Sequence, residues 1–246
     1  MISLKKNKGL NLKTPEFLCD GNLAEHLNKY DMLQNFNGFY FTGFIGRPGS
    51  GKTSLLVSML TRRKKDKVFR KVFNNILVVM PTSSRNSMKN NIFKKHTPDK
   101  LYDELDYKTI NDIHNKLLHS SSENETTLLI LDDVGAMLKR PEIQETFRKI
   151  IYNRRHLKCA IIILLQLYMS IPKEIRKLFN NVVCFKPPKT EFINLFEELF
   201  ETKKELAQEI MSFTYKDPHD WLLLNVPSQR LFRGFDEIIV HDPDDE

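Results

Sequence analysis

A chain of 246 residues and 28.9 kDa can bury one sizeable core, and 41% hydrophobic against 28% charged residues is the composition of a folded globular protein, which excludes a disordered or fibrous chain. The net charge of +7 and pI near 9.2 favour a polyanionic partner. The longest apolar run, near Cys159–Leu165, falls far short of the roughly 20 residues that span a bilayer, so no membrane span is expected.

The charge is polarised along the chain. Residues 1–71 hold 14 Lys or Arg against 5 acids, a balance of +9, whereas residues 191–246 hold 5 against 14, a balance of −9. Residues 1–38 open on the basic MISLKKNKGL, which no apolar segment follows, so a secretory signal is not expected. They continue through Glu16–Leu33 to a turn-like Asn35-Phe36-Asn37-Gly38 and read as an N-terminal extension packed on a domain spanning 39–246.

An apolar run, Phe39–Ile45, then leads into Gly46, Arg47, Pro48, Gly49, Ser50, Gly51, Lys52 and Thr53, a match to G-x-x-x-x-G-K-[ST] at every fixed position. A phosphate cradle needs a strand to aim the loop, glycines that let successive backbone N–H groups converge, and a helix N-terminus that favours negative charge. Thr53–Leu60, free of proline and glycine, supplies that helix. Gly46 to Thr53, with Ser54, are therefore the expected nucleotide-binding residues. Lys52 reaches the β- and γ-phosphates of ATP as a mobile charge, and the Thr53 hydroxyl ligates Mg²⁺.

The densest basic run follows: Arg62-Arg63-Lys64-Lys65-Asp66-Lys67, then Arg70-Lys71. It suits nucleic-acid phosphates, and equally the exposed C-terminal end of a helix. Asn75–Met80 reads as a second strand, Asp103–Leu117 as a helix, Ser120–Asn124 as a polar loop, and residues 126–134 as a third strand. Pro141–Arg155 reads as a helix with proline in its first turn. After it come a strand (Cys159–Leu165), a helix (Pro172–Asn180), a strand (Asn181–Phe185), helical structure over 190–213, a β-hairpin made of Trp221–Asn225 and Leu231–Val240, and the acidic tail Asp242–Glu246. Alternating strands and helices imply an α/β fold with a mostly parallel sheet covered on both faces. Cys19, Cys159 and Cys184 are widely spaced and read as free thiols in a reducing compartment.

Three further stretches carry chemistry. Leu128-Leu129-Ile130-Leu131-Asp132-Asp133 is a buried strand with two carboxylates at its tip, at the sheet edge where ligands of open α/β sheets bind. Asp132 holds the Mg²⁺ shell as the Walker-B acid, and Asp133 orients or deprotonates the attacking water. Gln166, at the end of Ala160–Leu165, reads as a γ-phosphate sensor, as in P-loop ATPases with an extra strand between the Walker-A and Walker-B strands. Asn153-Arg154-Arg155-His156 offers Arg154 or Arg155 as an arginine finger for a neighbouring subunit, with Arg148 and Arg176 less favoured.

The joint order of GRPGSGKT, LLILDDV, NRRH, the strand ending LLQ, and Ile171–Lys177 before Val182–Phe185 resembles the poxvirus-type viral DNA-packaging ATPases of the FtsK–HerA superfamily, across about residues 39–187. The resemblance implies a RecA-like P-loop core and ATP hydrolysis with Mg²⁺ at the subunit interfaces of a homo-oligomeric ring, a pentamer or hexamer. It implies sequence-non-specific movement of double-stranded DNA into a capsid, a capsid or portal-vertex partner, and a place in the cytoplasm of the infected host cell or with the virion. Many superfamily members carry glutamate where Asp133 stands. A helicase or DNA-transfer pump of the same superfamily, and a nucleotide-dependent assembly factor with little hydrolysis, remain open as alternatives.

Overall fold

The computed structural model describes residues 21–63, 67–88 and 92–240. The basic start with Cys19, the centre of the basic run (64–66) and the acidic tail lie outside the described residues. Nine strands form one sheet: β1 (Phe41–Ile45), β2 (Asn75–Val79), β3 (Leu101–Tyr102), β4 (Thr127–Asp132), β5 (Cys159–Leu165), β6 (Asn181–Phe185), β7 (Trp221–Asn225), β8 (Arg230–Arg233) and β9 (Asp236–Ile238). Their spatial order is β3-β2-β4-β5-β1-β6-β7-β8-β9. The first six in that order pair in parallel and the rest antiparallel.

The helices are α1 (Asp31–Gln34), α2 (Lys52–Thr61), α3 (Thr82–Asn86), α4 (Tyr107–Ser122), α5 (Pro141–Asn153), α6 (Lys173–Arg176), α7 (Lys189–Leu199) and α8 (Lys204–Thr214). Because side chains alternate along a strand, each central strand feeds two cores. Cys159, Ile161, Ile163 and Leu165 of β5 join Phe41 and Ile45 of β1 under α4, α5, α7 and α8. Ala160, Ile162 and Leu164 join Phe44 on the opposite face, under Leu56 and Met59 of α2 and under Leu27, Met32, Leu33 and Phe36. The sheet is thus covered on both faces, as its unbroken apolar strands require. Cys159 and Cys184 are buried free thiols. Among the described residues no helix is long and apolar enough to cross a membrane.

Four boundaries depart from the sequence reading. The expected C-terminal hairpin is a three-stranded meander extending the main sheet, because Gly234 takes a left-handed φ of 60° and splits Leu231–Val240 into β8 and β9. The helix expected over Pro172–Asn180 shrinks to α6, because Phe179 turns inward to lie 4.4 Å from the Phe41 ring. Gly43 makes room for it: a Cβ there would sit 2.8 Å from the Phe179 ring. Residues 190–213 divide into α7 and α8 around Glu201, at φ 50°. The helix expected over Asp103–Leu117 starts only at Tyr107, where the Asp106 carboxylate accepts a hydrogen bond from Thr109 N at 2.6 Å, and continues through Ser122 into the expected loop.

Candidate active site

Parallel strands all end on one edge of a sheet, and the register decides which residues meet there. Ile45 is level with Leu165, and Asp132 with Leu164. Gly46, Gln166 and the Asp132–Asp133 pair therefore emerge within about one residue of each other on adjacent strands, and Gly46 N donates to Leu165 O at 3.0 Å. Between them lies a recess of about 800 Å³ lined by Pro48, Lys52, Thr53, Asp132, Asp133 and Gln166.

The phosphate loop requires its glycines at two points. Gly51 has a φ of 109° immediately before the first turn of α2, a conformation most side chains cannot adopt. A Cβ on Gly46 would lie 2.7 Å from Ser50 Oγ and 2.8 Å from Phe185 Cβ. The loop thus presents the N-terminus of a ten-residue helix, with its unpaired N–H groups, to the recess. Lys52 Nζ donates to the carbonyls of Gly46 and, at 3.0 Å, Arg47, so the side chain is folded back over its own loop. Burial lowers the Lys52 pKa, while Asp132 and Asp133 oppose that shift.

Asp132 is pushed up to about 6 by burial and by the adjacent Asp133 charge, with Lys52 pulling the other way. Asp133 holds a left-handed φ of 56° at the strand end, a conformation that costs a non-glycine residue of order 1 kcal/mol. Its Oδ1 accepts from Gln166 Nε2 at 3.4 Å. The structure therefore brings together Lys52, Thr53, Asp132, Asp133 and Gln166.

The donor set fits Mg²⁺. The Thr53 hydroxyl and the two carboxylates are hard oxygen ligands, and Mg²⁺ typically takes one or two carboxylates with the rest of its shell from water and substrate phosphates. Burial and the Asp133 charge disfavour the ionised form of Asp132, and a divalent cation beside it would favour that form.

That shift has a sign for stability. The folded state keeps its proton on Asp132 up to about pH 6, whereas the unfolded chain releases it near 3.8, so stability is lost as pH rises between those values. In protein free of metal and nucleotide, Asp132→Asn should therefore raise the melting temperature at pH 7.5, by on the order of 5–10 °C for about 2–3 kcal/mol. The gain should vanish near pH 4. A melting scan at both pH values measures this, and an unchanged midpoint at pH 7.5 would contradict it.

The structure does not bring the arginines to this edge. Arg154 is half-buried at the opposite edge of the sheet. Its Nε donates to Phe39 O at 2.8 Å, its Nη1 to Ile151 O at 2.9 Å, and its Nη2 to Asn180 Oδ1 at 3.1 Å. Its guanidinium thus clamps the chain segments that enter β1 and β6. Arg155 is exposed beside it. Arg176 is buried in an ion pair with Glu198 at 2.9 Å, and Arg148 lies over the Tyr152 ring at 6.0 Å.

Sequence reasoning missed the other side of the loop. His219 Nδ1 donates to Ser50 O at 2.9 Å across 169 residues of sequence, with a φ of 71°. No motif marks it; only the contact with Ser50, made in three dimensions, brings it to the loop.

Comparison with known proteins follows the same lines. The family model for the Poxvirus A32 protein matches residues 28–246. B204, the DNA-packaging ATPase from Sulfolobus turreted icosahedral virus, superposes with a TM-score of 0.57 at 16% identity, covering 82% of this chain and 98% of that one. The genome packaging NTPase B204 from Sulfolobus turreted icosahedral virus 2, in complex with AMPPCP, gives 0.55 at 14% identity over 82% and 98%. The cytoplasmic domain of the Thermomonospora curvata type VII secretion ATPase EccC gives 0.50 at 16% identity over 85% of this chain and 26% of that one. At these identities the likeness establishes a shared P-loop NTPase fold. No curated protein sequence matches the chain.

Proposed function

Since the chain belongs to the Poxvirus A32 protein family, we propose that it is an ATP-hydrolysing motor that translocates double-stranded DNA and packages a viral genome into a capsid. The observation that carries this reading is the strand order: β5 lies between β1 and β4, and so sets Gln166 beside Asp133 at the mouth of the phosphate loop. An ATPase that only holds nucleotide has no need of a polar residue linked to the acid that faces the attacking water.

The loop from Gly46 to Ser54 cradles the phosphates with its N–H groups, and Lys52 swings from its own carbonyls to the β- and γ-phosphates. Thr53 and Asp132 would hold Mg²⁺, which when bound neutralises charge on the terminal phosphates. Asp133 accepts the proton of the attacking water, and Gln166 shares that water or the γ-phosphate, passing the state of the site into the loop after β5. Arg155, at the far edge of the sheet from its own phosphate loop, completes a neighbour's site in a ring of five or six subunits. Lys139 and Arg140, exposed after β4 at the start of α5, grip DNA phosphates in this reading, without reading sequence. The place of action is the cytoplasm of the infected cell.

The test is the hydrolysis rate with and without linear double-stranded DNA. DNA should stimulate the rate several-fold, and the DNA concentration for half-stimulation should rise steeply between 50 and 200 mM salt, since several phosphate contacts release counterions. A rate indifferent to DNA would leave the assembly-factor reading in its place, and strand separation without any capsid protein would favour a helicase.

A further inference from the structure

We propose that the recess on the β6–β7 side of the phosphate loop seats a purine base, stacked against Trp221, with His219 as the positioning residue that ties this wall to the loop. The proposal deepens, and rests on, the reading of the loop as a nucleoside triphosphate site. The strand order supplies the direction. Asp132, Asp133 and Gln166 stand at the ends of β4 and β5, on one side of β1. A triphosphate whose γ end meets those groups must leave its ribose and base on the other side, over β6 and β7.

A second recess, of about 490 Å³, lies there, lined by Ser50, Gly51, Ser54, Phe185, His219 and Trp221. That volume is in the range of small-molecule sites, and the mix of aromatic walls with a few polar groups is what a nucleoside requires. The indole is held in place. The Phe235 ring packs edge-on against it with centroids 5.5 Å apart, and Trp221 O accepts from Gly234 N at 3.0 Å, so the β8–β9 turn buttresses the first residue of β7. A rigid, half-buried aromatic face is a low-entropy platform for a purine.

His219 links the two halves of the site. With Nδ1–H donated to the Ser50 carbonyl, the ring is tied to the phosphate loop and its other edge is left toward the recess it lines. His219 turns at a φ of 71°, and its contact with Ser50 ties that turn to the phosphate loop. Phe185, packed under both Gly46 and Gly51, closes the floor.

Trp221 is the only tryptophan of the chain, so its emission reports this recess alone. MgADP should quench it saturably, whereas magnesium tripolyphosphate should raise the melting temperature without altering the emission. Trp221→Leu should raise the KM for ATP about 10-fold with kcat within two-fold of the parent, and Trp221→Phe should restore most of the loss. Unchanged emission at saturating MgADP together with an unchanged KM in Trp221→Leu would overturn the base site while leaving the phosphate loop reading intact. If neither MgADP nor tripolyphosphate raises the melting temperature, the phosphate loop reading itself falls, and the base site with it.

Discussion

Asp133→Asn should lower kcat for ATP hydrolysis about 10²- to 10⁴-fold while leaving nucleotide affinity within a few-fold. The substitution is a clean one. Asparagine is among the few residues that tolerate a left-handed backbone, so the φ of 56° at this position survives, and only the ability to accept a proton is lost. The hydrogen bond with Gln166 also survives, since an amide oxygen still accepts. Lys52→Ala should behave differently: it removes the charge that the phosphates require, so affinity and turnover fall together. Single-turnover hydrolysis and equilibrium binding separate the two. An Asp133→Asn enzyme with near-parental kcat would remove Asp133 from the chemistry and pass the role of base to another group. The same variant tests Arg155. Rings mixed from Asp133→Asn and Arg155→Ala subunits, each inactive alone, should regain activity, because some interfaces then pair an intact Asp133 with an intact Arg155. No recovery would exclude a finger at this position.

Glu198→Leu should destabilise the fold by about 3–5 kcal/mol, lowering the melting temperature by roughly 6–20 °C. Glu198 and Arg176 have side chains 11% and 7% exposed, and Arg176 Nε and Nη2 both donate to Glu198 Oε2, at 3.1 and 2.9 Å, with Nη2 also 3.4 Å from Oε1. Arg176 Nη1 also donates to Ile171 O at 2.8 Å, and its guanidinium lies 4.9 Å from the Tyr168 ring. Removing the carboxylate alone strands a charge in a low-dielectric site. Removing both groups, as in Arg176→Met with Glu198→Leu, should recover most of the loss, since a buried pair is often replaceable by well-packed apolar side chains. Thermal melts of the single and double variants measure this. A loss below about 1 kcal/mol in Glu198→Leu would show that the site relaxes to admit water. The double variant should keep its ATPase at low temperature, as expected of an arginine that anchors α6 to α7 and does not act on a neighbour's phosphate.

The parts of this molecule that could be read in the chain are those with a local physical signature. GRPGSGKT states its glycine geometry and its lysine within eight residues, and LLILDD states a buried strand with acids at its tip. Cys159–Leu165 and Asn181–Phe185 coincide with β5 and β6 to the residue, because continuous apolar runs between polar breaks leave little choice. The Pro172–Asn180 stretch differs. Its helical pattern is real, but burial of Phe179 against Phe41 and Gly43 overrides it after one turn. Leu231–Val240 failed likewise at Gly234, whose turn is visible only once a third strand is seen to pair with the second.

The two arginines of NRRH show the same boundary most sharply. Side by side in sequence, they are chemically equal, yet one turns inward to three acceptors drawn from Phe39, Ile151 and Asn180, and the other stays at the surface. By itself the sequence determined that the chain carries a P-loop, a paired-acid strand and a polar-tipped strand in that order, since each is written in a few adjacent residues. Likeness to other P-loop ATPases suggests that β5 lies between the other two strands; only the tertiary structure decided its register there, that Arg154 is committed to the base of the sheet, and that His219 reaches back to Ser50. Strand order and cross-sheet contacts join residues more than 100 positions apart, and no local period of side chains encodes which distant partner will be met.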